Sequence, residues 1–233
     1  MPSGYSFRPR AWAVALAAAA CAAGIALGNW QARRAEEKRS LGVQLAQAMR
    51  ASPIEIGTPG VASGSLVMKR VAAQGSFVGE RTVFLDNKLR RGRPGYEVVT
   101  PLRLNGTHVL VNRGWVAAAR TREELPQVPV PAGEVRIEGL ALAHLPQVLL
   151  AGEPSGKVRP SLDLQSFQRE TGLRLQPIVI EQHSPAADGL VREWPRPDAG
   201  IEKHSSYALQ WYSLAVLAVI LLIVLSFRRA AAP

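Results

Sequence analysis

The sequence predicts an α+β protein in which two apolar helices, arranged as a hairpin, carry a mainly antiparallel β domain. Three observations lead there. Residues 207–227 contain no ionisable group other than tyrosine and are closed by Arg228 and Arg229. Residues 11–30, AWAVALAAAACAAGIALGNW, form a second apolar run behind Arg8 and Arg10. The intervening segment of about 170 residues, enough for one globular domain with its own core, alternates short β-type runs with turn residues.

Both apolar runs are long enough to cross a bilayer, since about 20 residues at 1.5 Å each span its roughly 30 Å hydrocarbon core. The first also has features of a secretory signal peptide, with arginines before it and small residues near its end. Its apolar stretch of about 18 residues exceeds the usual 7–15 of such a core, which favours a retained anchor. Gly24-xxx-Gly28, continued backwards by Ala20, offers a face without bulk for close helix packing, although an alanine-rich helix also produces such spacings by chance.

After Trp30, QARRAEEKRSLGVQLAQAMRA continues as helix, with Arg33 placed to pair with Glu37 and with Leu41, Leu45 and Met49 on one face. Pro53, Gly57, Pro59, Gly60 and Gly64 then break the chain into loop. Strands are expected in SLVMKRVAAQGSF ending near Phe77, in RTVFLDN at 81–87, and in GYEVVTPLRL and THVLVNRGWV. Asn105-Gly106 joins the last two as a hairpin, by the dipeptide that suits a type I′ turn. Asn105-Gly106-Thr107 is also a glycosylation sequon, but the turn explains it unaided. Further strands are expected at 135–142 and 173–181, with a short helix in LDLQSFQRET ended by Gly172. The domain is thus an antiparallel sheet or a partly closed barrel with one or two helices. The division is a tail at 1–10, a first span at 11–30, an extramembrane domain at 31–203, a second span at 204–227 and a tail at 228–233.

Composition narrows the function. With Cys21 as the one cysteine, the chain holds no CxxC site and no internal disulfide. A net charge of +10 suits anionic lipid or an acidic partner. Tethering at both ends argues against nucleic acid. Arg8, Arg10, Arg228 and Arg229 place both termini in the cytoplasm by the positive-inside rule, and Arg33, Arg34, Lys38 and Arg39 argue the reverse, diluted by Glu36 and Glu37. Termini inside and the domain outside is the favoured arrangement.

The sequence has no GxSxG elbow, HExxH, Walker loop or strand-linked GxGxxG. His108, His144, His183 and His204 are scattered, and none is spaced as a metal ligand pair. The loop DNKLRRGRPGY concentrates Lys88, Arg90, Arg91 and Arg93. It reads as a charged guard on a strand edge, or as a clamp for a carboxylate or phosphate partner. In NRGW at 112–115 the tryptophan reads as a core residue. His204 begins the second span, and a helix there puts His204, Ala208 and Trp211 in one stripe with Tyr207 beside it. In a hairpin, Trp30, Gln31, Arg33 and Arg34 lie at the same depth. Aromatic residues there form the ordinary interfacial belt. An imidazole, several rings and two guanidinium groups are also the parts from which a haem site is made.

Three segments carry a resemblance. LGNWQARRAEEK resembles the first-span exit of the Surfeit-locus cytochrome c oxidase assembly proteins, RPGYEVVTPL followed by VLVNRGWV resembles their central signature, and HSSYALQWYSLA resembles their second-span entry. Their order matches, and together they cover about residues 28–225. The resemblance implies a two-span, non-enzymatic assembly factor of the bacterial inner membrane with its domain in the periplasm. Such a factor binds haem a transiently and assists its insertion into oxidase catalytic subunit I, and the haem a synthesis machinery is a further candidate partner. The family's candidate iron ligand falls on His204, and the residues placed at its depth above supply the rest of the candidate site, Tyr207, Trp211 and Trp30 as ring partners and Arg33 and Arg34 as propionate partners. Arg90, Arg91 and Arg93 are the candidate partner contacts. A bacterial rather than mitochondrial chain is expected because no long arginine- and serine-rich leader precedes the first span. The region after Glu134 and the loop REWPRP diverge from the family pattern. Two rival readings stand beside this one: a scaffold for the nascent subunit that never touches haem, and a membrane-tethered hydrolase.

Overall fold

The computed structural model describes residues 5–56, 63–119, 124–145, 156–194 and 200–229. Gly57, Pro59, Gly60 and the prolines of REWPRP lie outside them. The chain divides into two compact units, residues 1–44 with 195–233, and residues 45–194.

The first unit holds most of α1 (Ala11–Arg50) and all of α3 (Ile201–Ser226), each with a stretch long and apolar enough to cross a membrane. The expected first span and the charged helix after it form one uninterrupted helix. Its charged part is tied by Arg34 to Glu37 at 3.0 Å and by Arg39 to Glu36, so Glu37 takes Arg34 rather than the Arg33 expected. The segment expected as the N-terminal tail pairs with the end of the expected second span and the start of the C-terminal tail. β1 (Tyr5–Phe7) runs antiparallel to β10 (Phe227–Arg229), and the Phe7 and Phe227 rings meet edge to face at 5.4 Å.

The second unit is a barrel with flanking strands. Its strands are β2 (Ile54–Glu55), β3 (Arg70–Phe77), β4 (Val83–Leu85), β5 (Gly95–Arg103), β6 (His108–Ala117), β7 (Glu134–Leu142), β8 (Val158–Arg159) and β9 (Leu175–Gln182). They lie in the order β2-β3-β7-β9-β6-β5-β4-β8, and a second pairing joins β3 back to β5. That return, Ser76 opposite Arg103 and Phe77 opposite Leu102, closes five strands on themselves. Valines, isoleucines, leucines and alanines of all five, among them Val71, Leu102, Val111, Ile137 and Ile180, form one buried cluster inside. Most pairings are antiparallel as expected, while β6–β9, β2–β3 and β4–β8 are parallel.

Local sequence explains the parts. The α2 helix (Leu164–Thr171) starts where the Asp163 carboxylate accepts the Ser166 N–H at 2.9 Å and stops where Gly172 takes φ +70°. It lays Phe167 on the outer barrel face against Leu85, Val99, Leu110 and Val179. The β5–β6 hairpin closes at Asn105-Gly106 with Leu104 N–H donating to Thr107 O at 2.8 Å. Positive φ falls on Gly106 alone, so the turn is not the type I′ expected. Glycine takes the left-handed conformation at no steric cost, and Asn105 avoids it.

Barrel closure depends on Gly75. A Cβ there would collide with the Arg103 carbonyl oxygen and crowd Leu104, so β3 meets β5 only because the residue has no side chain. Gly75→Val should therefore destabilise the domain by about 1–3 kcal/mol or more. Gly64, which has open space around it, should accept alanine within about 0.5 kcal/mol. Denaturant midpoints followed by tryptophan fluorescence test both, and equal midpoints would remove Gly75 from its closing role.

Candidate functional site

In the first unit α1 and α3 touch where side chains are smallest. A Cβ on Gly24 would lie 2.9 Å from both the Ala215 Cβ and the Trp211 carbonyl oxygen, and one on Gly28 would enter the Tyr212 ring. The small-residue face read from the sequence is therefore used for close packing, with Ala208 and Ala215 buried opposite it. Just beyond the glycines the helices exchange two polar contacts. Tyr212 Oη donates to Asn29 Oδ1 at 2.7 Å, and His204 Nδ1 lies 2.7 Å from Gln31 Oε1. Interhelical hydrogen bonds in such surroundings contribute about 0.6–2 kcal/mol each.

The predicted stripe is observed, with Ala208 buried and His204 and Trp211 half-buried. Tyr207 and Trp30 are not enclosed by it, being 51% and 46% exposed. Arg33 is exposed, and Arg34 is also exposed but occupied by Glu37. The sequence reading put Gln31 at the right depth without giving it a role, and it passed over Asn29 and Tyr212. The available signal was two amides flanking Trp30 at the exit of an otherwise apolar helix, where unpaired polar groups are costly.

In the second unit the basic loop is largely consumed by the fold. Glu97, 5% exposed, accepts from Arg90 at 2.7 Å and from Asn112 at 3.1 Å, and Lys88 stands 3.8 Å away. Arg91 reaches both carboxylate oxygens of Glu193 at 2.7 Å on the surface, and Arg93 is exposed. Trp115 is buried as expected, its Nε1–H donating to Lys88 O at 2.8 Å, which fastens the loop to β6.

Arg113, which the sequence reading left without a role, is the most deeply placed charge. The β5–β6 register passes from Val98–Gly114 to Val99–Asn112, leaving Arg113 as the extra residue of a bulge. Gly114 at φ +144° permits it, and a Cβ there would crowd Leu190. The bulge sends a fully buried guanidinium (0% exposed) over the Phe77 ring, within 2.6 Å of Pro129 O and 3.0 Å of Asp188. Burial pulls its pKa below the ordinary value against the opposing charge of Asp188. Burial pushes Asp188 up, but the Arg192 hydrogen bond and charge, the Leu190 N–H and Arg113 together hold it below its ordinary value.

The remaining histidines do not converge. His144 meets the Leu145 carbonyl, and His183 meets Glu181 at 3.1 Å beside Trp194. His108 keeps its Nδ1 buried without a partner. Among the described residues no three His, Cys, Asp or Glu side chains cluster as a metal site.

A small closed barrel whose sequence lies between those of two membrane-length helices, with polar cross-contacts on the helix pair and, among the described residues, no clustered metal ligands, defines a class of two-helix barrel proteins. The sequence model of the SURF1 family matches residues 18–216, and the chain belongs to that family. It is 24% identical over 205 residues to a SURF1-like protein of Monosiga brevicollis, covering 82% of this chain and 78% of that one. It is 26% identical over 208 residues to Surfeit locus protein 1 of Mus musculus, covering 81% and 67%. Against a SURF1-like protein of Rickettsia felis the identity is 25% over 222 residues, covering 88% and 92%. The family is one of cytochrome c oxidase assembly factors.

Asp188 gives the site a pH signature. Its depressed pKa contributes stability that is complete above the unfolded carboxylate value of about 3.9 and is lost as pH falls through the lower folded value. Asp188→Asn should remove that part of the acid transition. It should also cost about 3–5 kcal/mol at neutral pH, because Arg113 is left without its counter-charge. Denaturant midpoints at pH 7 and pH 3 check this, and an unchanged midpoint at pH 7 would contradict it.

Proposed function

We propose that this protein is a non-enzymatic, two-span factor of the bacterial inner membrane that holds haem a at the head of its second span and assists its insertion into the oxidase catalytic subunit I. The domain lies on the periplasmic side, a placement supported by the arginines at the outer ends of both spans. Haem a is here cargo, bringing the oxidase the iron it later uses for electron transfer.

The observation that carries the reading is the contact of His204 with Gln31. With the amide oxygen facing Nδ1, the imidazole keeps its proton there and offers Nε2 as a free ligand, with its orientation set by the neighbouring span. Trp30 and Tyr207 leave ring surface open at the same end of the helix pair, and Arg33 is an exposed cation for a carboxylate. The fit thus covers the ligand, ring partners and one propionate cation. Arg34, already paired with Glu37, contributes less. One observation favours the rival scaffold that binds the nascent subunit without haem: Trp30 and Tyr207 are exposed rather than gathered around a cleft.

The optical spectrum of protein purified from membranes making haem a separates the two. His204→Ala should abolish or blue-shift the bound spectrum while the chain still inserts, and His144→Ala or His183→Ala should leave it unchanged. Gln31→Leu should weaken retention about 10–100-fold, as loss of an orienting partner does. A wild-type spectrum at full occupancy in His204→Ala removes the ligand, and no Soret band in the wild type favours the scaffold.

The loop gives a second test. Exposed Arg93, with Arg91 on its surface pair, supports docking of an acidic partner, whereas Arg90 is engaged in holding Glu97. Arg91→Gln with Arg93→Gln should lower assembled oxidase with haem content unchanged. Loss of haem instead would assign these residues to the cargo, and no effect on either would leave the loop a guarded strand edge.

A further inference from the structure

The helix pair has a second feature, at the end away from His204. Below the glycine contact α1 and α3 do not fill the space between them, and a groove of about 480 Å³ opens there. Ala13, Ala17 and Ala20, with Leu16, line it from α1, and Leu221, Leu222 and Leu225, with Ala218, line it from α3. The three alanines recur at i, i+4 and i+7 and so share one face of α1. Arg8, Arg10 and Trp12 form the rim. The rim is fixed in place, because Arg8 N–H donates to Ser226 O at 2.8 Å and the β1–β10 pair joins the two chain ends beside it.

Among the described residues the charge at this rim has no carboxylate beside it. No Asp or Glu precedes Glu36 and none follows Glu202. The carboxylates nearest in sequence are therefore about 26 residues along α1, roughly 40 Å of helix away. Among the described residues neither Arg8 nor Arg10 has an anionic partner, and both guanidinium groups edge an apolar groove. We infer that this groove is a site for an anionic phospholipid, with an acyl chain between the alanine and leucine walls and the headgroup phosphate on Arg8 and Arg10. The inference rests on the reading of α1 and α3 as membrane spans with cytoplasmic ends. Its physical basis is common to basic clefts between spans on the cytoplasmic side, where a low-dielectric wall meets a charged headgroup. The volume lies within the roughly 300–1,000 Å³ of ligand sites. A lipid suits the groove better than a third helix does, since close helix packing wants small residues on both faces and α3 presents three leucines beside Ala218.

Native mass spectrometry of the full chain released from detergent, with phosphatidylglycerol or phosphatidylcholine of the same acyl composition, tests this. The wild type should retain phosphatidylglycerol preferentially. Arg8→Gln with Arg10→Gln should reduce that retention roughly tenfold to thirtyfold, the scale of two juxtamembrane charges. Arg50→Gln, at the far end of α1, should not. Ala17→Leu should reduce binding of both lipids by filling the groove, and Ala17→Val serves if the larger residue separates the helices. Equal retention of both lipids, or no effect of the arginine pair, overturns the site. Loss through the arginines with none through Ala17 reduces it to surface attraction and overturns the groove. A transmembrane polypeptide co-purifying in place of lipid overturns it as well. Release of the wild type from membranes by alkaline carbonate would overturn the spans and the groove together. Carbonate-resistant protein without lipid preference overturns the groove alone.

Discussion

The approach of α1 to α3 at Gly24 and Gly28 is the constraint on which the helix pair depends. Two helices normally stand 8–10 Å apart, and only residues without side chains allow backbone to meet side chain directly. Once Gly28 receives the Tyr212 ring, the helices have one axial register, and Asn29 and Gln31 come opposite Tyr212 and His204. A shift of one residue would rotate α3 by about 100° and break both contacts. The polar pairs therefore report a register that the glycines impose. At the opposite end alanines stand in place of the glycines, leucines make up most of the α3 wall, and a groove opens.

The barrel answers to a different constraint, the need to turn corners without side chains at the corner. Gly75 lets β3 return to β5, and Gly114 gives β6 the bulge that turns Arg113 inward. The outcome is a buried arginine with Asp188 and Pro129 on one side and a phenylalanine ring beneath it. Buried pairs of this kind are a poor source of net stability, because desolvation offsets most of the attraction. Arg113 Nε and Nη1 have no protein partner, which fits that balance. What the pair does supply is position. Asp188 also holds Arg192 at 2.6 Å, so the segment after β9 is tied to the barrel through one carboxylate.

Most elements were legible because their signals are local. Asp163 and Gly172 bracket α2, alternation and β-branched residues mark β5 and β6, and apolar length marks the two long helices. Strand order was not legible. The parallel β6–β9 pairing brings together segments more than sixty residues apart, and nothing in either announces the other. The turn at Asn105-Gly106 was located correctly and mistyped, since the dipeptide permits a type I′ turn without requiring it. At the candidate site, periodicity put His204, Ala208 and Trp211 on one stripe of α3, and His204 meets α1 there, but Tyr212, which also packs on α1, was not part of it. Periodicity within one helix carries no information about the partner, and so Gln31 and Asn29 emerged only when the two faces were brought together.

The arginines show why density in sequence is a weak guide to function. The cluster Arg90, Arg91 and Arg93 is the densest in the chain, yet Arg90 is spent on Glu97 and Arg91 on Glu193. Arg8 and Arg10 look like ordinary topology signals, yet among the described residues neither has a carboxylate partner and both edge an apolar groove. A charge is available for an external ligand in proportion to what the fold leaves unpaired. By that measure Arg8 and Arg10 at the rim of the groove, Arg93 and Arg33 are among the described cations left without a carboxylate. His204 follows the same logic with a proton in place of a charge. Gln31 engages one ring nitrogen, and the chemistry open to the residue belongs to the other.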